Sequence, residues 1–168
     1  MNICIREINN NSDEISAVKE FLYGQIKDVY GIGPTPEFHY DIEGLEEYYI
    51  LPEKNNLFLA FDGDNIVATG AVRAYDKDYA FLKDCCFRQG TASIWRLMVD
   101  KKYRRNGIAR LLVEKLEVFA KNEGYNNIYL HSHRYLDAAM PFWKSLGYEV
   151  IFEEDDYDET SHMIKNLI

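Results

Sequence analysis

Apolar residues recur at helical spacing in the first part of the chain. The segment Ser12-Asp13-Glu14 offers an N-cap followed by acidic residues, which is typical of a helix start. A helix over residues 12–30 is predicted by the apolar positions that follow: Ile15, Val18, Phe21, Leu22, Ile26 and Val29. A short strand over residues 3–8 is expected before this helix. Gly31-Ile-Gly-Pro-Thr-Pro36 predicts a loop after it, and a shorter helix is expected over residues 42–50.

Runs of β-branched and aromatic residues predict strands in the middle of the chain. Leu57–Phe61 and Ile66–Val72 flank the turn Asp62-Gly-Asp-Asn65, which predicts a β-hairpin. The remaining predicted elements are a strand at 92–99, an amphipathic helix at 107–122, a strand at 127–131, a helix at 137–146 and closing strands at 150–152 and 162–164. The order β-α-α-β-β-β-α-β-α-β-β predicts an α/β fold (α+β, mixed sheet), in which a mostly antiparallel sheet contains a parallel strand pair.

The composition indicates one compact domain. The 168 residues are 47% hydrophobic, 14% aromatic and 28% charged, which is typical of a single domain over residues 1–168 with a sizeable core. No apolar run approaches the roughly 20 residues that span a bilayer, and the N-terminus lacks the pattern of a signal peptide. We therefore expect a cytoplasmic protein with no membrane partner. Cys4, Cys85 and Cys86 show no CxxC spacing, so neither a disulfide framework nor a metal site is predicted.

Charge is distributed unevenly along the chain. Residues 149–159 carry seven acids and no base, whereas residues 96–115 carry seven bases and two acids. The net charge of −9 argues against nucleic acid as a partner. The short basic stretch suits a small polyanion better.

The junction Val99-Asp-Lys-Lys-Tyr-Arg-Arg-Asn-Gly-Ile-Ala109 carries the most specific chemical signal. A strand ends, basic residues fill a loop, and a helix begins whose first turn presents amide N–H groups and the positive end of its dipole. A phosphate is a natural ligand of such a site, and Gly107 allows it close approach to the backbone. The spacing matches neither GxxxxGK[ST] nor a strand-linked GxGxxG, so a Walker loop and a dinucleotide site are not expected. A solvated, well-capped helix start is the alternative.

Arg104-Arg-Asn-Gly-Ile-Ala109 resembles [RQ]xxGx[GA], the acyl-CoA pyrophosphate motif of the GNAT N-acetyltransferase superfamily. Residues 130–148 are similar to the second signature of that family, a strand and a turn followed by Ala-Ala-x-x-Phe-Tyr-x-x-x-Gly-Phe/Tyr. The two motifs stand in the family's order, and the match extends over roughly residues 57–165. The resemblance implies a GNAT-like fold in which the parallel strands ending near Val99 and Ser132 splay apart around the ligand.

The resemblance also implies an enzyme that transfers an acetyl group from acetyl-CoA to a primary amine by direct attack in a ternary complex. It implies that backbone groups bind the cosubstrate, with these expected ligands: Met98, Val99, Arg104, Arg105, Asn106, Gly107, Ile108, Ala109 and Arg110. An N–H at the same strand end would face the thioester oxygen, where negative charge develops during attack. The amine must arrive neutral, so a base or a water chain is expected.

The sequence departs from the family where acid and base are supplied. Trp143 stands where many members have the tyrosine that protonates the thiolate, and Ser93 stands where some members carry a glutamate base. Tyr135 and Tyr148 are the alternative acids, and His133 at the strand end could relay a proton. Packed aromatic rings and a solvated histidine are the competing interpretations. The candidate catalytic residues are His133 and Tyr135.

The resemblance places the acceptor pocket at residues 31–41 and at the late strands, near the acidic residues 153–159. Acids at its rim would attract a cationic amine, either a small molecule such as a polyamine or aminoglycoside or an amine of a protein. A solvated acidic loop is the alternative. Two other hypotheses stay open: a non-catalytic acyl-CoA-binding sensor or interaction module, and an enzyme that uses a longer acyl-CoA. Either a monomer or a homodimer is expected.

Overall fold

The computed structural model describes residues 1–82 and 89–168, so Cys85 and Cys86 lie outside the described residues. The strands and helices are β1 Ile3–Glu7, α1 Ser12–Tyr30, α2 Pro36–Glu43, β2 Asn56–Asp62, β3 Asn65–Ala74, β4 Thr91–Val99, α3 Ile108–Asn122, β5 Asn127–His133, α4 Ala139–Ser145, β6 Glu149–Glu153 and β7 Thr160–Asn166. Single turns of π-helix or 3-10 helix lie at Glu46–Ile50, Ala80–Leu82 and Lys101–Tyr103. The predicted order of strands and α-helices is confirmed.

The seven strands of the described residues form one mixed sheet in the order β1-β2-β3-β4-β5-β7-β6. Strands β4 and β5 run parallel, with Thr91 opposite Asn127 and Ser93 opposite Tyr129. Antiparallel pairing joins β1 to β2, β2 to β3, β5 to β7 and β6 to β7. The predicted mixed sheet with a parallel pair is confirmed.

The chain divides into two compact units, one made of Met1–Arg73 and Trp95–Leu116 and the other of Ala74–Ile94 and Glu117–Ile168. The core of the first unit contains the buried face of α1 together with residues of α2 and β2: Val18, Leu22, Ile26, Ile42, Leu57 and Leu59. A cluster of the second unit contains Tyr75, Leu82 and Tyr129. Burying each large apolar side chain contributes about 1.5–3 kcal/mol. The single domain over residues 1–168 stays a prediction.

Helix α1 matches its predicted range, but its N-cap does not. Asn11 caps the helix, because its side-chain oxygen accepts hydrogen bonds from the backbone amides of Asp13 and Glu14. The prediction of Ser12 as the cap is therefore wrong by one residue. The helix ends at Gly31, which adopts φ +68° and donates its amide to the carbonyl of Lys27.

The second helix begins earlier than the sequence predicts. Helix α2 starts at Pro36, after the extended residue Thr35, and a separate π-helical turn covers Glu46–Ile50. The predicted loop that opens at residues 31–36 is therefore shorter than expected, and the predicted helix over residues 42–50 is wrong in its boundaries. Proline suits the first position of a helix, because its φ is already helical and its missing N–H would have no intrahelical acceptor there.

Helix α3 is amphipathic as expected, although its buried face is narrower than its apolar positions suggest. Ile108, Leu112 and Leu116 are buried, whereas Leu111 and Val118 are exposed. The predicted helix over residues 137–146 is shorter in the structure, and strand β5 extends two residues further than predicted, to His133. Within the described residues, none of the helices has both the length and the apolar content that crossing a membrane requires.

Candidate functional site

Hydrogen bonds join the start of the loop between β4 and α3 to strands β2 and β3. The backbone amide of Asp100 donates to the carbonyl of Val67 at 2.9 Å. The carboxylate of Asp100 accepts from the amide of Lys102 at 2.8 Å and begins a 3-10 turn. The hydroxyl of Tyr103 donates to the carboxylate of Asp62 at 3.2 Å. The basic loop is therefore held at its start by contacts with β2 and β3.

Two residues in the left-handed region bend this loop before the helix begins. Arg105 adopts φ +63° and Gly107 adopts φ +80°. The amide of Leu111 makes an intrahelical bond to the carbonyl of Gly107 at 3.1 Å, so the amides of Ile108 and Ala109 precede the first amide that has an acceptor in the helix. Ile108 is buried and anchors the helix start. Together with the helix dipole, this arrangement favours an anion.

Two side chains of the motif make hydrogen bonds to backbone carbonyls of the loop and the strand end. Asn106 fastens the loop, because its amide donates to the carbonyls of Tyr103 and Arg104, both at 3.1 Å. The Nε of Arg104 donates to the carbonyl of Val99 at 3.0 Å. Arg105 and Arg110 are exposed residues. The expected cosubstrate ligands of residues 98–110 therefore lie on one strand end, one loop and one helix start, and their assignment as ligands stays a prediction.

The interior of β4 carries a strained residue that is bound to helix α2. Arg96 adopts φ +49°, and its carbonyl accepts from the hydroxyl of Thr69 at 2.8 Å. Its guanidinium donates to both carboxylate oxygens of Asp41, from Nε at 3.0 Å and from Nη2 at 2.5 Å. The same Nη2 donates to the carbonyl of Phe38 at 2.6 Å, and the hydroxyl of Tyr49 donates to Asp41 at 2.6 Å.

The charges of this cluster stabilise one another. Burial opposes ionisation of the fully buried Asp41, but hydrogen bonds from Arg96 hold the pKa of the carboxyl below its usual value. Burial and the Asp41 charge raise the pKa of Tyr49 well above its usual value, so its hydroxyl keeps its proton. The sequence patterns did not predict this cluster. A usable signal was present, because Asp41 precedes Leu45 and Tyr49 at intervals of four and thus lies on an apolar face.

A second buried guanidinium lies among aromatic rings in the same unit. Arg73 is 2% exposed, and its guanidinium carbon lies 3.8 Å from the ring centre of Trp95. Its Nη2 donates to the hydroxyl of Tyr40 at 2.8 Å, and the ring of Tyr48 lies 5.3 Å away. Cation–π contacts of this kind stabilise a cation that is withdrawn from water.

The two candidate catalytic residues stack against each other in the second unit. The rings of His133 and Tyr135 lie 5.3 Å apart at an angle of 15°. Nδ1 of His133 lies 2.8 Å from the carbonyl of Asp158, and because a carbonyl only accepts, this nitrogen carries a proton. Tyr135 is 45% exposed, and burial of its ring together with nearby acids raises the pKa of its hydroxyl.

The other positions that the sequence singled out for acid and base are buried. Trp143 is 7% exposed and packs edge-on against Tyr148 at 5.2 Å. Tyr148 donates its hydroxyl to Glu117 at 3.1 Å, and burial and that carboxylate raise its pKa. The hydroxyl of Ser93 is buried with no hydrogen-bond partner among the described residues.

A chain of polar side chains in the second unit was not predicted from the sequence. His162 is fully buried, with Nδ1 2.7 Å from the hydroxyl of Tyr129 and Nε2 2.6 Å from the carboxylate of Glu154. Asp156 accepts from the amide and hydroxyl of Thr160, and these bonds lower the pKa of its carboxyl. Two acids of the acidic stretch therefore make hydrogen bonds with residues of β7.

The sequence model described as the Acetyltransferase (GNAT) family matches residues 22–148 of the chain. The chain belongs to this family. The predicted membership of the GNAT superfamily is thereby confirmed.

Relatives and solved structures agree with GNAT membership. N-acetylaspartate synthetase from Homo sapiens is 29% identical over 119 residues, which are 71% of this chain and 36% of that protein. N-acetyltransferase 8B from Homo sapiens is 32% identical over 109 residues, which are 65% of this chain and 45% of that protein. The chain thus spans less than half the length of these two relatives.

Two solved structures share the GNAT fold with this chain. An acetyltransferase of the GNAT family from Staphylococcus aureus Mu50 superposes with a TM-score of 0.79 at 22% identity, covering 99% of this chain and 100% of that one. PaiA N-acetyltransferase from Thermoplasma acidophilum, solved in complex with coenzyme A, superposes with a TM-score of 0.71 at 18% identity, covering 99% of both chains. At these identities the likeness establishes the GNAT fold.

In this GNAT chain, residues 1–82 and 89–168 hold no group of three or more His, Cys, Asp or Glu side chains arranged to bind a metal ion. His131 and His133 alternate on β5, with ring centres 6.0 Å apart.

Proposed function

We propose that this chain binds acetyl-CoA at the loop between β4 and α3 and transfers the acetyl group to a primary amine. The observation that carries the proposal is the backbone of residues 105–110, where two left-handed residues precede helix amides that have no acceptor within the helix. Three arginines of the same stretch, at positions 104, 105 and 110, add positive charge. This combination suits a pyrophosphate better than a monovalent anion, because several donors and several charges are available.

The strand end before this loop would bind the pantetheine arm. Met98 and Val99 are half-buried at the end of β4, where backbone groups can pair with an extended ligand as a neighbouring strand does. The carbonyl of Val99 already accepts one bond from Arg104. A carbonyl oxygen has two lone pairs, so this carbonyl can accept a second bond from the ligand.

Acetyl transfer then needs one displacement at the thioester. The lone pair of the amine nitrogen attacks the carbonyl carbon, the C–S bond breaks, and the sulfur leaves with the bonding electrons as a thiolate. A backbone N–H at the strand end stabilises the charge on the carbonyl oxygen. The thiolate has a pKa of about 8.5, so it leaves with little help from an acid. The nitrogen loses its proton to a base or to water.

His133 is our candidate for that base. Because Nδ1 donates to the carbonyl of Asp158, the neutral imidazole has its lone pair on Nε2, which is the form that accepts a proton. Tyr135 stacks on the ring and is 45% exposed, so we assign it the donor role that Trp143 cannot fill. The His133→Gln variant should lower kcat for thiol release.

We propose an amine that carries a positive charge as the acceptor. Most side chains of the acidic stretch are exposed, including Asp155, Asp158 and Glu159, and such a stretch attracts cations. The aminoglycoside 6'-acetyltransferase type Ii superposes on this chain with a TM-score of 0.68 at 24% identity. The name of the relative N-acetylaspartate synthetase favours a second acceptor class, amino acids, and the two classes are separable by assay.

A non-catalytic acyl-CoA-binding module is the second candidate function. The observation that favours it is Trp143, a buried indole at the position where many family members have the acidic tyrosine. Such a module would bind acetyl-CoA and release no thiol with any amine. Binding and turnover therefore have to be measured separately.

Titration calorimetry with coenzyme A tests the cosubstrate site directly. The wild type should bind, and the Gly107→Glu variant should lose most of the affinity, because it places a carboxylate where the pyrophosphate is expected. Lys115→Ala is the control, since it removes an exposed positive charge from α3 outside the motif. Equal affinity in all three proteins would contradict the proposed site. Thiol release from acetyl-CoA, measured with polyamines, aminoglycosides, lysine peptides and free amino acids including aspartate, then identifies the acceptor class.

A further inference from the structure

Arg96 holds a backbone conformation that a residue with a side chain rarely adopts. Its φ of +49° lies in the left-handed region, inside strand β4 and three residues before its end at Val99. Non-glycine residues keep such a conformation only where the surrounding contacts enforce it. The backbone of Arg96 is held on one side by the hydroxyl of Thr69, which donates to the carbonyl of Arg96 at 2.8 Å.

The side chain of Arg96 supplies the other constraint. Its guanidinium makes a two-pronged ion pair with Asp41, whose carboxylate is fully buried and also accepts from Tyr49. A bidentate pair fixes the orientation of the guanidinium as well as its position. A third bond, from Nη2 to the carbonyl of Phe38, joins the same group to the backbone of α2. Together these contacts fix the orientation of the Arg96 side chain.

The residues that follow are the strand end assigned to acetyl-CoA under the proposed function. A left-handed residue within a strand bends it and changes the direction in which the next backbone groups point. The directions of the N–H groups of Leu97–Val99 therefore depend on the conformation at position 96.

We propose that the Asp41–Arg96 ion pair is a positioning device that holds β4 in its bent form and so aims the strand end Leu97–Val99 at the thioester. This inference rests on the proposed function of that strand end. The bonds of Arg96 also join α2 to β4, because Asp41 and Phe38 belong to α2 and Arg96 belongs to β4. Loss of the pair while position 96 still carries a side chain should lower kcat more than it raises the KM for acetyl-CoA, because the N–H that faces the thioester oxygen contributes most in the transition state.

Two substitutions at one position separate the backbone role from a role in charge or packing. Arg96→Ala removes the guanidinium and leaves a residue that disfavours the left-handed region, so the strand should straighten. Arg96→Gly removes the same guanidinium but tolerates positive φ. We expect kcat to fall by about tenfold or more in the alanine variant and to stay within about threefold of wild type in the glycine variant.

Asp41→Asn tests the pair from the other side. It removes the charge and replaces one acceptor oxygen with a donor that faces the guanidinium, so kcat should fall as it does in Arg96→Ala. Arg6→Ala is the matched control. Arg6 also makes a two-pronged pair, with Glu14 at 2.9 and 2.6 Å, and this variant should lower stability without changing kcat.

The measurements are thiol release, calorimetry with coenzyme A, and the backbone amide chemical shifts of Leu97, Met98 and Val99. Larger shift changes in Arg96→Ala than in Arg96→Gly, together with the kcat difference, would support the positioning role. Equal losses of kcat and equal shift changes in an active enzyme would overturn that role and leave the proposed function intact. A wild type that neither binds coenzyme A nor releases thiol would overturn the proposed function, and the positioning role with it.

Discussion

Replacing Gly107 with alanine separates the backbone requirement of the loop from its use as a phosphate site. Gly107 adopts φ +80°, and an added Cβ would meet no heavy atom within 4 Å. The stability cost is therefore conformational alone, about 1–2 kcal/mol for a left-handed residue with a side chain. For a chain of this size that corresponds to a fall of about 2–8 °C in Tm.

The effect of Gly107→Ala on ligand affinity is a separate quantity. If the pyrophosphate lies against this backbone, the added methyl group displaces it and weakens charge-assisted hydrogen bonds that contribute about 1.5–3 kcal/mol each. The Kd for coenzyme A should then rise by about ten- to a hundredfold. Scanning calorimetry measures the first quantity and titration calorimetry measures the second.

Gly124→Ala is the matched control for Gly107→Ala. Gly124 lies just beyond the opposite end of α3, adopts φ +82°, and also has no heavy atom within 4 Å of an added Cβ. It should lose similar stability and bind coenzyme A with wild-type affinity. Equal Kd values in both variants would refute the reasoning, because the strain would then be the only effect of the substitution at position 107.

Three further predictions concern stability and the acid. Hydrogen bonds from Arg6 lower the pKa of Glu14 from 4.5 to about 2. The partly exposed Arg6–Glu14 pair contributes about 1 kcal/mol to the free energy of unfolding. This contribution is complete above pH 4.5 and is lost as the pH falls towards about 2. Urea unfolding of Glu14→Gln and wild type should therefore differ near pH 7 and converge in acid; a constant difference would contradict this. Gly70→Ala places a Cβ 3.3 Å from two leucine side chains and should lower the urea midpoint through about 1–3 kcal/mol of overpacking; an unchanged midpoint would contradict it. Tyr148→Phe should cost about 1 kcal/mol and leave thiol release unchanged, because the hydroxyl is buried against Glu117; a tenfold loss of kcat would instead identify Tyr148 as the acid.

The parts of the fold that the sequence predicts are those set by local patterns. Helical spacing gives α1 its range over residues 12–30, and the order of elements follows from alternating helix and strand periods. The start of α2 was missed because Pro36 was interpreted as a breaker, although proline also suits a first helical turn. By local rules alone a proline can either end one helix or begin the next, and packing of the rest of the chain decides which occurs.

Within the candidate site, too, the features set by contiguous residues were predictable from the sequence, and those set by distant residues were not. The motif at residues 104–109 is contiguous, so its loop and helix start were predictable from spacing. The Asp41–Arg96 pair joins residues that are 55 positions apart, and the left-handed conformation of Arg96 has no sequence signal, because arginine rarely adopts it. The chain of Tyr129, His162 and Glu154 likewise depends on the register of β5, β6 and β7.

The measurement that tests the central claim most directly follows the acetyl group from acetyl-CoA to an amine. Thiol release and the mass of the acetylated amine are recorded together, for the wild type and for an Arg104→Ala, Gly107→Glu double variant. The account predicts equal amounts of thiol and acetylated product with one class of amine, and loss of both in the double variant. Wild-type protein that binds coenzyme A and yields neither thiol nor acetylated amine across the whole panel would contradict it.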